Sequence, residues 1–273
     1  MPFIRKEETE NLIHEVRDTY GIDLQIFSTN ILRFKLDRIM TDRYLRSTDY
    51  FIRRLTGERS FLRDTLRSVF KYDYELFREP ELWSELRNIF ETKKTSLPET
   101  PKILIPACSE FNELISMIIF LEEVNLRENS VLEVSWFMEV ADPELLQNKN
   151  ILKPGNTGIE NLEMVFPEIN FDKYFEQSAD FLIPRASLNL NTGVIFHDLL
   201  FTSIDKKYDL IFFRDKLLNY NTVFQAVIVN NLTRCLDENG MIIFGPMENP
   251  DLSITKRTRI KTRNEYHNIY IKT

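Results

Sequence analysis

Apolar residues recur at helical spacing up to about residue 92, and after residue 101 they gather into short strand-length runs. Leu12, Ile13, Val16 and Tyr20 share one stripe of a helix, and Gly21 stands where a left-handed C-terminal cap belongs. A second helix starts after Ser28 and faces Leu32, Leu36, Ile39 and Met40 inward. Two more follow near 48–56, stopped by Gly57, and near 58–70. A fifth opens at Glu79-Pro80, where proline suits the first turn, and buries Leu82, Trp83, Leu86 and Phe90. The polar stretch 93–101, KKTSLPETP, has no periodicity and reads as a linker.

Beyond it the period changes. Runs at 102–106, 131–138, 193–196, 208–213, 241–245 and 266–271 predict strands. Helical patterns at 110–124, 143–149 and 219–235 separate several of them. Strands alternating with helices imply a doubly wound, mainly parallel sheet covered on both faces. The expected organisation is a helical domain at 1–92, a linker at 93–101 and an α/β domain at 102–273. A small insertion of short helix and strand is expected near 150–192.

Composition narrows the classes without naming a function. The chain has 273 residues, a net charge of −7 and 43% hydrophobic residues, which suits a globular protein. No apolar run reaches the ~18 residues of a membrane span, and MPFIRKEETE lacks an apolar signal core, so a cytoplasmic protein is expected. Cys108 and Cys235 are too few for an ordinary four-ligand zinc site, and His14, His197 and His267 show no ligand spacing. The cysteines are expected as buried or semi-buried thiols and not a disulfide, and Trp83 and Trp136 as core residues. Only seven glycines are present, which bears on nucleotide-binding turns.

In an open parallel sheet, ligands bind beyond the carboxyl ends of the strands where strand order reverses. The first strand runs into PACSEFNE, a turn that lacks the glycine a nucleotide usually requires. Glu139, ending the second, is either a ribose-binding carboxylate or a solvated strand-end residue. Asp198 and Leu199, ending the third, either meet an adenine amino group and ring or are ordinary loop residues. Arg214 and Asp215 end a fourth strand and are either site residues or a surface ion pair.

The order of these strand ends, together with YELFREPELW at 74–83, resembles the CheR-type chemotaxis receptor methyltransferases over nearly the whole chain. The resemblance implies a class I, Rossmann-like methyltransferase domain behind a small all-helical domain. It also implies S-adenosylmethionine as cofactor and methylation of glutamates on protein helices. Phe77, Arg78 and Glu79 match the family's phenylalanine-arginine-glutamate, and Pro106 to Glu113 match its AGCSTGEE-like turn. Glu139 matches its strand-end aspartate, Asp198 and Leu199 its asparagine-leucine, and Phe212 to Tyr220 its FCRNVLIYF-like strand end. Cofactor contacts are therefore expected from Ala107, Ser109, Glu113, Glu139, Asp198, Leu199, Arg214 and Asp215. Arg78 is expected to orient the substrate carboxylate, with Tyr220 as a displaced stand-in for the family tyrosine, whose own place falls on Asn219.

Departures concentrate in the turn. Ala107 and Phe111 replace both glycines, Asn112 replaces the first glutamate, and Asp215 replaces an asparagine. A benzyl group at 111 is expected to crowd the methionine end of the cofactor and strain a backbone that wanted positive φ. The expectation is a protein-glutamate methyltransferase with a degraded, weak or lost cofactor site. The alternative is a non-catalytic scaffolding relative in signalling. Between Ile31 and Lys71, eleven Lys and Arg face five Asp and Glu, a local charge of +6. That segment is either a docking face for an acidic protein partner or a solvated helical surface. With a pI near 5.3 and no stacking motif, nucleic acid is not expected.

Overall fold

The computed structural model describes residues 3–70, 75–92, 98, 100–106, 111–126, 130–136, 158–178, 181–185, 188, 193–196, 205–250, 259–264 and 266–273. Its helices are α1 (Lys6–Tyr20), α2 (Thr29–Asp42), α3 (Thr48–Gly57), α4 (Arg59–Phe70), α5 (Pro80–Thr92), α6 (Phe111–Glu123), α7 (Ile159–Val165) and α8 (Thr222–Cys235). Its strands are β1 (Lys102–Ile105), β2 (Val131–Trp136), β3 (Phe175–Ser178), β4 (Phe181–Pro184), β5 (Gly193–Phe196), β6 (Tyr208–Phe212), β7 (Leu236–Ile243), β8 (Ile260–Asn264) and β9 (Ile269–Lys272).

Seven strands form one sheet in the order β5-β2-β1-β6-β7-β9-β8. The five from β5 to β7 run parallel, while β9 pairs antiparallel with both β7 and β8. This is the mainly parallel α/β sheet that the alternating pattern predicts. All six expected strands take part, and β8 is an addition. β8 escaped the sequence reading because it is an edge strand in which only Ile260 is buried, so no apolar run marks it. The expected insertion holds α7 and a separate β3–β4 hairpin. The helix expected at 143–149 lies outside the described residues.

The pleat sends alternate residues to opposite cores. Leu104, Ile211, Ile242 and Phe244 join α8 and the α1–α4 bundle in one core. Ile103, Ile105, Leu210, Phe212 and Ile243 join α5, α6 and α7 in the other. Trp83 of α5 is buried there, with ring centroids 4.9, 5.6 and 5.1 Å from those of Phe77, Phe120 and Phe212. Helix α5, the last of the N-terminal run, therefore packs on the sheet.

Local signals set the helix ends. Gly21 has φ +71° and donates its N–H to Arg17 O at 2.8 Å, closing α1 as its position predicts. Asn221 caps α8 by accepting from the N–H groups of Val223 and Phe224, and its amide donates to Gln25 O at 2.7 Å. A β-bridge between Phe27 and Tyr220 completes this seam between bundle and sheet.

Candidate functional site

Strand order reverses between β1 and β6, so the carboxyl ends of these two neighbours are where an open α/β sheet offers a crevice. The structure places a compact set of charges there. β6 leads into the turn carrying Arg214, Asp215 and Lys216. The loop 77–79 enters α5 beside it, and Glu113 lies in the first turn of α6.

Arg78 is ion-paired with Asp215 and lies 3.7 Å from Glu79. Arg214, 2% exposed, donates to Glu79 Oε2 at 2.6 Å and to the Arg78 carbonyl at 3.4 Å. Lys216 Nζ donates to Glu113 Oε2 at 2.9 Å, with both side chains buried. Burial pushes the Arg214 guanidinium below its ordinary value, while Glu79 and Glu113 pull it back and Arg78 adds to the fall. The set comprises Arg78, Arg214 and Lys216 against Glu79, Glu113 and Asp215, so its formal charges cancel.

Backbone geometry is unusual at the same place. Phe77, Glu79 and Asp215 have positive φ of 48°, 59° and 56°. Non-glycine residues in that region cost about 1–3 kcal/mol each and persist only where surroundings enforce them. The enforcing contacts are visible. Phe77 N–H donates to Ser116 Oγ at 2.9 Å, and Trp83 Nε1 donates to the Arg78 carbonyl at 3.2 Å. Gly245 lies so close to Asp215 that a Cβ there would run into its carboxylate and come within 2.7 Å of its backbone nitrogen.

Glu248 organises the turn after β6, and the sequence reading missed it. Its fully buried carboxylate accepts from the backbone N–H groups of Asp215 at 2.7 Å, Gly245 at 2.8 Å, Leu218 at 3.4 Å and Leu217. Burial pushes its carboxyl up to about 7, with these N–H groups and the Lys216 charge opposing the rise. Asn268 locks the same loop by donating to the carbonyls of Gly245 and Glu248 at 2.7 and 3.0 Å. Nothing local marks Glu248, because it sits in the polar stretch MENP.

Of the expected site residues, Arg78, Glu113, Arg214 and Asp215 come together. Tyr220 follows the same turn, as the residue that closes the short helical segment Leu217–Asn219. It is buried in the bundle-side core, its ring 5.5 Å from that of Phe27, whereas Phe77 beside Arg78 belongs to the other core. Ala107, Ser109, Glu139, Asp198 and Leu199 lie outside the described residues, as do Cys108 and His197. Phe111 opens α6 in helical backbone, so the strain expected from a lost positive-φ glycine is not present at that position. Asn112 lies in the first turn of the same helix, its carbonyl accepting from Ser116 Oγ at 2.6 Å. Cys235 is a buried thiol that donates to the Asn231 carbonyl at 3.1 Å. His267 lines an open groove with Pro80, Glu81 and Ser84 of α5. Among the described residues no cluster could hold a metal ion, and no helix is long and apolar enough to cross a membrane.

Comparison with known proteins gives this arrangement its context. Residues 73–266 match the CheR methyltransferase, SAM binding domain. The Cher3 protein of Pseudomonas putida is 24% identical over 179 residues, a match spanning 66% of this chain and 65% of that relative. Among solved structures, the magnesium protoporphyrin IX methyltransferase of Synechocystis is 12% identical, with a TM-score of 0.40 over 86% of this chain and 97% of its own. An amino pentose methyltransferase of Micromonospora echinaspora is 9% identical, with a TM-score of 0.34 over 62% of this chain and 52% of its own. The family match takes in loop 77–79, α6, the turn after β6 and Glu248, every part of the charge set. The chain belongs to the CheR methyltransferase family, through the family's S-adenosylmethionine-binding domain.

Proposed function

We propose that the protein binds S-adenosylmethionine and methylates a side-chain carboxylate of a partner protein. One observation carries the reading: the match to the family's cofactor-binding domain over residues 73–266 takes in Arg78, which stands at the carboxyl ends of the central strands. A guanidinium fork matches two carboxylate oxygens, and such a grip fixes both position and direction. The substrate carboxylate is ionised at pH 7, so the protein need supply no general base. When bound, the cofactor supplies an electrophilic methyl group. The protein's own share is to orient the carboxylate through Arg78, hold the turn around Arg214 and exclude water.

The charge inventory suits such a cofactor, whose amino-acid end carries an ammonium and a carboxylate. We propose Glu113 for the former, and Glu139 and Asp198 for ribose and adenine. We assign the orienting role to Arg78, with Tyr220 as the tyrosine that follows the same turn. The basic stretch 31–71 of the bundle supports an acidic protein partner, and Phe34 and Tyr44 are exposed there. We further propose that α1–α4 form the recognition unit and the remainder the transfer unit.

A second reading, a non-catalytic relative, is favoured by a specific observation. Arg78 and Glu113 each have an internal partner, Asp215 and Lys216. Calorimetric titration with S-adenosylhomocysteine separates the readings. Micromolar binding, with base-labile labelled methyl appearing on an acidic helical peptide, supports transfer. No heat at millimolar ligand removes the methyltransferase reading.

A further inference from the structure

We infer that Glu248 is a positioning residue: loss of its proton assembles the turn 214–218, and ligand binding at the carboxyl ends of the central strands strengthens with that loss. The inference rests on the methyltransferase reading for the ligand, and on the contacts of Glu248 for the proton.

Each oxygen of the Glu248 carboxylate accepts two backbone N–H groups. Oε2 takes those of Asp215 at 2.7 Å and Gly245 at 2.8 Å, and Oε1 takes those of Leu218 at 3.4 Å and Leu217. An ionised carboxylate offers about four acceptor positions, and these four donors fill them. A proton turns one oxygen into a donor, set against N–H groups that need an acceptor. On Oε2 it frees Asp215 and Gly245, and on Oε1 it frees Leu217 and Leu218. Glu248 is fully buried, and a buried N–H left without an acceptor is costly, so the backbone shifts. That backbone carries Asp215 and Lys216, whose side chains meet Arg78 and Glu113. Asp215 holds φ 56°, a conformation that persists only while its surroundings enforce it.

The balance between the two forms is close. Burial favours the neutral carboxyl and pushes it up to about 7, while the N–H groups and the Lys216 charge favour the ionised form. Among the described residues, the charged groups facing it are Lys216 and Asp215 of the turn, the latter with its carboxylate against Gly245. Glu113 of α6 stands behind Lys216, and Arg78 of the loop before α5 behind Asp215. The turn before β9 adds the neutral Asn268 amide on the Glu248 carbonyl, and β9 adds the Tyr270 hydroxyl on Asn249. A ligand that needs the assembled turn selects the ionised form. Its affinity therefore rises with pH over the window in which the stability contributed by the proton falls.

The test is calorimetric titration of the full chain with S-adenosylhomocysteine at pH 6, 7 and 8, beside amide NMR of the ligand-free protein over the same range. Wild-type affinity is expected to rise about tenfold from pH 6 to pH 8, with a proton released on binding at the lower end. Glu248→Gln cannot ionise and is expected to stay within about twofold of the wild-type pH 6 affinity throughout. Flat wild-type affinity, or the same slope in Glu248→Gln, overturns the inference and leaves the methyltransferase reading standing. In the free protein the amide signals of Asp215, Leu217 and Gly245 are expected to move together with a midpoint near 7. Signals that stay in place overturn the inference, and this measurement needs no variant to fold. Absence of binding at every pH removes the methyltransferase reading, and the amide titration then decides the inference alone.

Discussion

The Lys216–Glu113 pair at the carboxyl ends of the central strands and the Arg54–Glu58 pair on the helical bundle have similar contact distances, 2.9 and 2.6 Å. Their surroundings differ: side-chain exposure is 6% and 7% in the first pair, 32% and 48% in the second. In the bundle, water and salt screen each charge, so the pair decorates a helix surface at i,i+4 spacing. At the strand ends neither charge can leave its partner without being left buried and uncompensated. Distance alone therefore says little about what an ion pair does; burial decides whether it is ornament or architecture.

The largest effect expected from that contrast is at position 216. Lys216→Met leaves Glu113 buried and unmatched, a loss of about 3–5 kcal/mol, and the melting temperature should fall by about 10 °C. Adding Glu113→Leu removes the stranded charge and should recover most of it; a double variant no better than the single would show that packing, not charge, was lost.

Glu248 sharpens the contrast through pH. Its carboxyl moves from an ordinary 4.5 to about 7 on folding. A raised acid stabilises the fold below its unfolded value, and that contribution is lost as pH rises through the folded value. Across this window the shift amounts to roughly 3 kcal/mol. Melts of wild type and Glu248→Gln at pH 5 and pH 8 should show wild type losing about that much relative to the variant. A pH-independent gap would show that Glu248 keeps one charge state throughout.

Gly245→Ala intrudes on Asp215 and its backbone, and overpacking of this kind costs about 1–3 kcal/mol. It should also loosen the Arg78 pairing, read as a change in S-adenosylhomocysteine affinity beyond the thermal shift. At the small end, Glu58→Gln should leave the melting temperature within about 1 °C in physiological salt. A drop comparable to that of Lys216→Met would dissolve the comparison.

Much of the fold was legible because helix and strand periods differ and because caps are local. Gly21 and Pro80 mark helix ends from their own backbone preferences. Strand β8 was not legible, since an edge strand with one buried residue leaves no apolar signature. The candidate site divides along the same line. Arg78, Glu113, Arg214 and Asp215 were found through motif order, a signal that survives in sequence. Lys216 and Glu248 were missed because a lysine after a strand and a glutamate in a polar loop look like surface residues until the chain folds over them. Tyr220 was placed by adjacency to a motif, yet its neighbours on the bundle side decide where its ring goes.

The sequence by itself determined the alternation that builds a parallel sheet, the helix ends, and the family to which the strand-end residues belong. These depend on chemistry within a few residues of each position. Only the tertiary structure decided which charges became buried, and hence that Arg78 grips Asp215 and Glu113 grips Lys216. Partners more than a hundred residues apart are brought into contact by the order of strands in the sheet, and desolvation, which no local pattern encodes, then fixes what each contact is worth.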